Sequence, residues 1–335
     1  MSFQFNRIKK KSLTLTYTIF PEELSFILNM ILYKKLFRCI LKEEIGIIYE
    51  ENVIHDDSIQ VSCLLKLNKT QLAIGSHDSK ITIWDLTTGK CTKTLIGHNE
   101  PVTHLIKLAS TLIITGSSDN SLRLWDITNG YLKVFNAGQE FGALRVITTI
   151  TKLNKSQIVI GTRDGTILIR DIFTGKTLKA CGHTNSVSSI FKQNSTQFVT
   201  GSYDCLMKIW EVNPIKTLKN LKDHTNCIEV VIKLSPNQFV SGSHDKSIKI
   251  WNITSGVCLN TLLGHESVIS SLIKIDDMKI VSASYDMSIK IWDLYSGTCM
   301  RTIYVINTLQ IRSLIKLSKT QIAVGIDSSV KIWNV

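Results

Sequence analysis

The sequence of 335 residues contains no apolar run of the ~18 to 20 residues that a membrane-spanning helix requires. Its longest candidate, residues 24–32, is interrupted by Asn29 and follows a proline and two acids, which is not the pattern of a secretory signal. We therefore expect an intracellular protein, cytoplasmic or nuclear, that is not secreted and has no membrane span.

The eight cysteines include no Cys-x-x-Cys pair, so the ligand spacing of zinc sites and thioredoxin-type centres is missing. The sequence also lacks a phosphate-binding loop, a cluster of metal ligands and an isolated nucleophile motif. We predict no metal, no cofactor, no small-molecule substrate and no enzymatic activity. The composition, 44% hydrophobic and 20% charged, is typical of a globular chain.

The net charge of +12 is concentrated at one end, because residues 1–42 hold eight basic and two acidic side chains. We expect residues 1–18 to be a basic, flexible tail. Such a segment also attracts nucleic acid and other polyanions. An RNA- or chromatin-associated scaffold is therefore kept as a less favoured alternative.

Seven runs of alternating apolar residues end on Trp, or a substitute, followed by an acid or amide. These endings are Trp84-Asp85, Trp125-Asp126, Arg170-Asp171, Trp210-Glu211, Trp251-Asn252, Trp292-Asp293 and Trp333-Asn334. A spacing of about 40 residues indicates a repeat architecture. Alternation with period two, broken by turn residues, predicts four short antiparallel strands in each repeat.

A four-stranded unit of this size buries both faces only by stacking on its neighbours around an axis, which is a β-propeller. The sequence resembles the WD-repeat family, whose repeat reads Gly-His, a strand, Ser/Thr-Gly-Ser-x-Asp and a strand ending in Trp-Asp. We predict an all-β, seven-bladed WD-repeat propeller over residues 43–335, preceded by a short helical segment. Residues 43–51 are expected to be the closing strand of blade seven.

The resemblance implies a buried hydrogen-bonded tetrad in blades two, four, five and six. The tetrads are His98, Thr115, Asp119 and Trp125; His183, Thr200, Asp204 and Trp210; His224, Ser241, Asp245 and Trp251; and His265, Ser282, Asp286 and Trp292. Because the set recurs four times, it is interpreted as structural, not as a hydrolase triad. Blades one, three and seven lack parts of it.

WD-repeat proteins are similar to one another in binding peptides on the narrow face of the ring, around the central channel. Two positions per blade point there: the residue before the turn Asp, and the residue five after the His. The candidates for partner binding are His77, Arg163, Tyr203, Glu229, His244, Tyr285 and Arg312. Tyr and Arg are common at binding hot spots.

Residues 19–42 combine a proline and two acids at a helix start with an apolar stripe at helical spacing. This segment resembles an F-box, with Pro21, Leu24, Leu28 and Leu32 as the contact residues. The resemblance implies a substrate-recognition subunit of a cullin-type ubiquitin ligase, with a cullin-ligase adaptor as partner. The alternative that we favour is a non-catalytic scaffold or adaptor that binds other proteins or peptides.

Overall fold

A computed structural model describes residues 52–56, 60–136, 146–305 and 310–335. The predicted tail 1–18, the F-box-like segment 19–42 and the predicted closing strand 43–51 lie outside these ranges. Within them the chain consists of strands and turns. No helix of the described ranges has the length and apolar character to cross a membrane.

The described residues form 28 strands in seven four-stranded antiparallel sheets, which are the blades of a propeller. The chain begins with β1 (Asn52–Asp56), and blade one follows with β2 (Val61–Lys66), β3 (Gln71–Ser76), β4 (Ile81–Asp85) and β5 (Lys90–Leu95). Blade two contains β6 (Val102–Lys107), β7 (Leu112–Ser117), β8 (Ser121–Asp126) and β9 (Gly130–Asn136). Blade three contains β10 (Ile147–Lys152), β11 (Gln157–Thr162), β12 (Thr166–Asp171) and β13 (Thr177–Cys181).

Blade four contains β14 (Val187–Lys192), β15 (Gln197–Ser202), β16 (Met207–Val212) and β17 (Ile215–Leu221). Blade five contains β18 (Ile228–Lys233), β19 (Gln238–Ser243), β20 (Ile248–Asn252) and β21 (Cys258–Leu262). Blade six contains β22 (Ile269–Lys274), β23 (Lys279–Ser284), β24 (Ser288–Asp293) and β25 (Cys299–Tyr304). Blade seven contains β26 (Ile311–Lys316), β27 (Gln321–Ile326), β28 (Ser329–Asn334) and β1.

The hydrophobic core lies between adjacent blades. Between blades one and two, for example, Ala73 and Ile81 of the first sheet pack with Val102, Ile113 and Trp125 of the second. The second strand of every blade is buried over five consecutive residues, because both of its faces are covered by neighbouring sheets. Burial of these apolar faces holds each sheet against the next.

The first strand of each blade is the innermost, and these seven strands contact one another in succession around the ring. The circle is completed by contacts of β2 with β26 and by the pairing of β1 with β28, in which Asn52 is opposite Ile332. The outer position of blade seven is thus occupied by residues 52–56. We call the end of the ring where the inner strands begin the narrow face.

Gly182 precedes the tetrad histidine of blade four, where blade five instead has Asp223. A Cβ on Gly182 would lie 2.1 Å from Cη2 of Trp210, far inside van der Waals contact. The indole therefore packs directly on the backbone of the Gly-His pair, and a side chain there would displace it.

Candidate functional site

In blade two, four side chains from two strands, one loop and one turn form a continuous chain of hydrogen bonds. Nδ1 of His98 lies 2.8 Å from Oδ2 of Asp119, and its Nε2 lies 2.6 Å from Oγ1 of Thr115. The indole Nε1 of Trp125 donates to the same hydroxyl at 2.9 Å. The Asp119 carboxylate also accepts from the backbone amide of Asn99 at 3.1 Å, which fixes the loop on the turn.

Blades four, five and six repeat this geometry with almost identical distances. The His–Asp, His–hydroxyl and Trp–hydroxyl distances are 2.8, 2.7 and 2.8 Å for His183, Asp204, Thr200 and Trp210. They are 2.7, 2.7 and 2.8 Å for His224, Asp245, Ser241 and Trp251, and 2.7, 2.6 and 2.8 Å for His265, Asp286, Ser282 and Trp292. Every polar group of the tetrads thereby has a buried partner.

The tetrad carboxylates are strongly stabilised as anions. Burial alone disfavours the charge of Asp119, but hydrogen bonds from Ser121, His98 and backbone amides outweigh it and lower the pKa to about 2. The hydroxyl residues Thr115 and Ser241 have no exposed surface. A substrate therefore has no access to these hydroxyls, and the geometry is that of an internal tie between loop and sheet.

In blades one and seven the indole of the Trp at the tetrad position cannot bond to the tetrad hydroxyl, because Ile74 and Val324 replace the hydroxyl residue. In blade one, the indole of Trp84 donates instead to Oγ1 of Thr82 at 2.9 Å. In blade seven, the buried Nε1 of Trp333 has no hydrogen-bond partner among the described residues. Apolar packing against the neighbouring blades contributes to holding both blades in place.

On the narrow face, Glu229 is the centre of a small polar cluster on blades four and five. It is the second residue of the inner strand β18 and its side chain is 23% exposed. Its Oε2 accepts a hydrogen bond from the phenol of Tyr203 at 2.7 Å and lies 3.0 Å from Nε2 of His244. The rings of Tyr203 and His244 meet edge to face at 5.5 Å. Burial and the neighbouring carboxylate raise the pKa of Tyr203.

A basic group lies further round the same face, on blades seven and one. Arg312 is the second residue of β26, the position equivalent to Glu229. In the amide orientation that satisfies both ends of Gln60, its oxygen accepts from the Arg312 guanidinium at 3.0 and 3.3 Å. Its nitrogen donates to Nε2 of His77 at 3.3 Å. Burial and the Arg312 charge lower the pKa of His77.

Tyr285 of blade six links the two groups electrostatically. Burial and Glu229 raise the pKa of its phenol, whereas Arg312 lowers it. Its half-buried ring therefore experiences both the carboxylate and the guanidinium. The result is an arc from blade four to blade one that carries one acid, one strong base and two tyrosines.

Small hydroxyl residues occupy the position of Glu229 and Arg312 in the other five blades, and three of them tie adjacent inner strands together. Oγ1 of Thr148 donates to the carbonyl of Val187 at 2.5 Å. Oγ of Ser270 donates to the carbonyl of Ile311 at 2.6 Å, and Ser188 donates to the carbonyl of Ile228. These hydroxyls serve the contact between blades, so the chemical character of the site comes from Glu229 and Arg312.

The remaining candidate, Arg163, is exposed in the turn before Asp164 of blade three. The equivalent residue of blade seven, Ile326, is buried. Gln60 was not among the sequence candidates, because its role depends on a side chain at the other end of the chain. The F-box-like residues Pro21, Leu24, Leu28 and Leu32 lie outside the described ranges.

Comparison with known proteins gives the same repeat. Four segments, residues 89–126, 175–211, 215–252 and 256–293, match the family described as WD domain, G-beta repeat. The chain contains four WD repeats. Each match ends at a Trp-acid or Trp-amide pair and contains one of the four tetrads. Proteins built from such propellers typically act as protein-interaction scaffolds.

One relative among curated proteins is the Nuclear distribution protein nudF of Aspergillus niger. It is 29% identical to this chain over 165 residues, which cover 45% of this chain and 35% of the relative. The match therefore spans about a third of that protein's length.

Proposed function

We propose that this chain is a non-catalytic interaction scaffold, acting inside the cell, that binds a peptide segment of another protein on its narrow face. The observation that carries the proposal is the arc of half-buried side chains from Tyr203 and Glu229 to Arg312. Half-buried tyrosines and charges held by neighbouring blades form a preorganised surface, which lowers the entropic cost of binding. The WD repeats and the similarity to a part of nudF support a scaffold role.

The charges of the arc indicate which peptides suit it. Glu229 attracts a basic side chain of the peptide. Arg312, two blades further round the ring, attracts an acidic one. We therefore expect the bound segment to carry a Lys or Arg and an Asp or Glu, separated by a few residues. Tyr285 lies between them on blade six, and Tyr203 lies beside Glu229 on blade four; both offer flat apolar surface to the peptide.

The test is selection from a random peptide library displayed on phage, using the full chain as bait. Peptides selected by the native chain should combine the two charges, and Tyr203→Ala with Arg312→Ala should weaken their binding by about tenfold or more. Charge reversal at Glu229→Lys should select acidic residues in place of the basic one. Lys90→Glu, an exposed change on an outer strand, is the control.

Peptides that bind the arc variants and the native chain equally would contradict the narrow-face proposal. Each variant should melt at nearly the native temperature, because the arc residues remain partly exposed. A large loss of melting temperature would show that the arc residues mainly hold the blades together.

The resemblance of residues 19–42 to an F-box supports a second proposal, recognition of substrates for a cullin-type ubiquitin ligase. On this proposal Leu28 is part of an apolar face that binds the cullin-ligase adaptor, together with Pro21, Leu24 and Leu32. Leu28→Asp should then abolish binding of purified adaptor and leave the melting temperature of the chain unchanged. Absence of adaptor binding by the native chain would leave the scaffold proposal alone.

A further inference from the structure

Each of the seven inner strands ends on a lysine, at the face of the ring opposite the narrow face. We call this set the lysine ring: Lys66, Lys107, Lys152, Lys192, Lys233, Lys274 and Lys316. Because the inner strands begin at the narrow face and surround the channel, their last residues lie around its opposite mouth. The repeat thus places one ammonium group per blade at this mouth.

Hydrogen bonds between blades hold the ring in place. Each of six lysines donates from Nζ to the carbonyl of the residue that follows the lysine of the preceding blade. The pairs are Lys66 with Leu317, Lys107 with Leu67, Lys152 with Leu108, Lys233 with Gln193, Lys274 with Leu234 and Lys316 with Ile275. The circular order of these pairs places the ammonium groups side by side at one end of the channel.

The positive charge of the ring is hardly neutralised. Within the described ranges, Lys274 alone among the seven has a carboxylate within 4.0 Å, that of Asp277 at 2.6 Å. An ammonium group has three donors, so the carbonyl bond leaves two of them for a ligand. The turns that follow the ring add exposed Lys69, Lys155 and Lys319.

A cleft lies beside the ring between blades six and seven. Its volume is about 490 Å³, and its lining includes Lys274, Lys316 and Lys319 together with Asp276 and Asp277. Of all the residues in the seven turns that follow the inner strands, these two aspartates are the acidic ones. Cations therefore outnumber acids at this mouth, and concave space is present next to them.

We propose that the lysine ring is a binding site for a compact, multiply phosphorylated anion. Charges arranged around an axis act together on a small ligand at the centre, where their fields add. Every member is Lys and none is Arg, and the ammonium group binds phosphate oxygens as a point charge from any direction. Because the carbonyl bonds already hold the side chains, binding loses little side-chain entropy.

The experiment uses isothermal titration of the full chain at low salt with inorganic tripolyphosphate, and with orthophosphate for comparison. One tripolyphosphate should bind per chain, and orthophosphate should bind far more weakly. Lys66→Gln/Lys107→Gln/Lys152→Gln should raise the Kd by about tenfold or more. The control Lys90→Gln/Lys176→Gln/Lys222→Gln removes three exposed charges elsewhere and should change the Kd by less than about twofold.

A second variant separates charge from stability. Lys69→Gln/Lys155→Gln/Lys319→Gln removes three charges at the same mouth and none of the bonds between blades. It should keep the native melting temperature and weaken tripolyphosphate binding by a few fold. If only the melting temperature of the ring variant changes, and binding does not, the lysines are structural ties and the proposal is wrong.

Two further measurements identify the source of the phosphates and the class of the ligand. Flotation with vesicles that contain phosphatidylinositol 4,5-bisphosphate, lost in the ring variant, would support the site and assign it to a lipid headgroup. Tripolyphosphate binding without flotation would assign it to a free anion. The proposal would be overturned if the ring and control variants lost binding equally. It would also be overturned if single-stranded RNA or polyglutamate bound the lysine ring more tightly than tripolyphosphate does.

Discussion

The phenol of Tyr203 in blade four donates a hydrogen bond of 2.7 Å to Glu229 in blade five, so two adjacent blades share a polar contact at the narrow face. Burial and this carboxylate hold the pKa of Tyr203 above its ordinary value. Glu229→Gln removes the negative charge and should lower that pKa. The measurement is the absorbance of tyrosinate during an alkaline titration.

The other tyrosines are subtracted with a second pair of proteins, Tyr203→Phe with and without Glu229→Gln. The shift should be clearly larger in the proteins that keep Tyr203, and the part that remains in those that lack it should come from Tyr285, whose pKa Glu229 also raises. Identical titration curves for native and Glu229→Gln proteins would contradict the contact.

The two tryptophans Trp251 and Trp333 form a matched pair for measuring the polar part of the tetrad. Trp251 donates to Ser241, whereas the Trp333 indole nitrogen lacks a partner among the described residues. Replacement by Phe removes similar volume from both sites, but only Trp251→Phe also breaks a buried hydrogen bond. In urea unfolding, Trp251→Phe should cost about 1 kcal/mol more than Trp333→Phe. Equal costs would mean that the indole bond contributes nothing net.

Arg170 takes the tryptophan position in blade three, which gives a second comparison for the same site. Trp251→Ala removes a buried indole and should cost about 3–5 kcal/mol in the free energy of unfolding. Arg170→Ala should cost clearly less, because it removes a smaller apolar volume. Urea unfolding of both variants measures the two losses in the free energy of unfolding. Similar losses would contradict the structural role assigned to the tetrad.

Acid should weaken the fold through the tetrad carboxylates. The pKa of Asp119 falls from 3.8 to about 2 on folding, so the unfolded chain takes up this proton first as the pH drops. Stability from this group is therefore complete above 3.8 and is lost as the pH falls toward about 2. Asp119→Asn should be less stable than the native chain near neutral pH and lose less on acidification.

The measurement is urea unfolding at a series of pH values, with Glu100→Gln, which removes an exposed carboxyl, as the control. The control should follow the native pH profile. A profile of Asp119→Asn parallel to the native one would show that the carboxylate is not stabilised by folding.

The strand β1 should be essential for a closed ring. Replacing residues 52–56 by Gly and Ser removes the partner of β28 and leaves an unpaired edge. The variant should aggregate on heating at a lower temperature than the native chain, as followed by light scattering. The same replacement of residues 10–14, in the predicted basic tail, should have no effect. Equal behaviour of the two variants would contradict closure through β1.

The repeat made the tetrads predictable, because the four residue types recur at the same places in blades two, four, five and six. The contacts between blades were harder to predict from the sequence. Tyr203 and Glu229 were each expected on the narrow face, but their bond depends on how one sheet stacks on the next. Gln60 and Arg312 meet only because the ring closes, so no local pattern connects them.

The lysine ring is visible in the sequence as a lysine at the end of each inner strand. The structural role of the ring comes from the register, which brings six of the seven ammonium groups to the backbone of the preceding blade. A single repeat contains the lysine and not its acceptor. The circular set of bonds is therefore a property of the assembled ring and not of any one motif.

The pairing of β1 with β28 has a consequence for how the protein is made. During synthesis β1 leaves the ribosome near the start of the propeller, and β28 leaves it among the last residues of the described chain. Until then blade seven has no partner strand for β1, and the first and last blades each present an uncovered sheet face to solvent or to chaperones. The ring can therefore close only after β28 has been translated, when six blades have already been made.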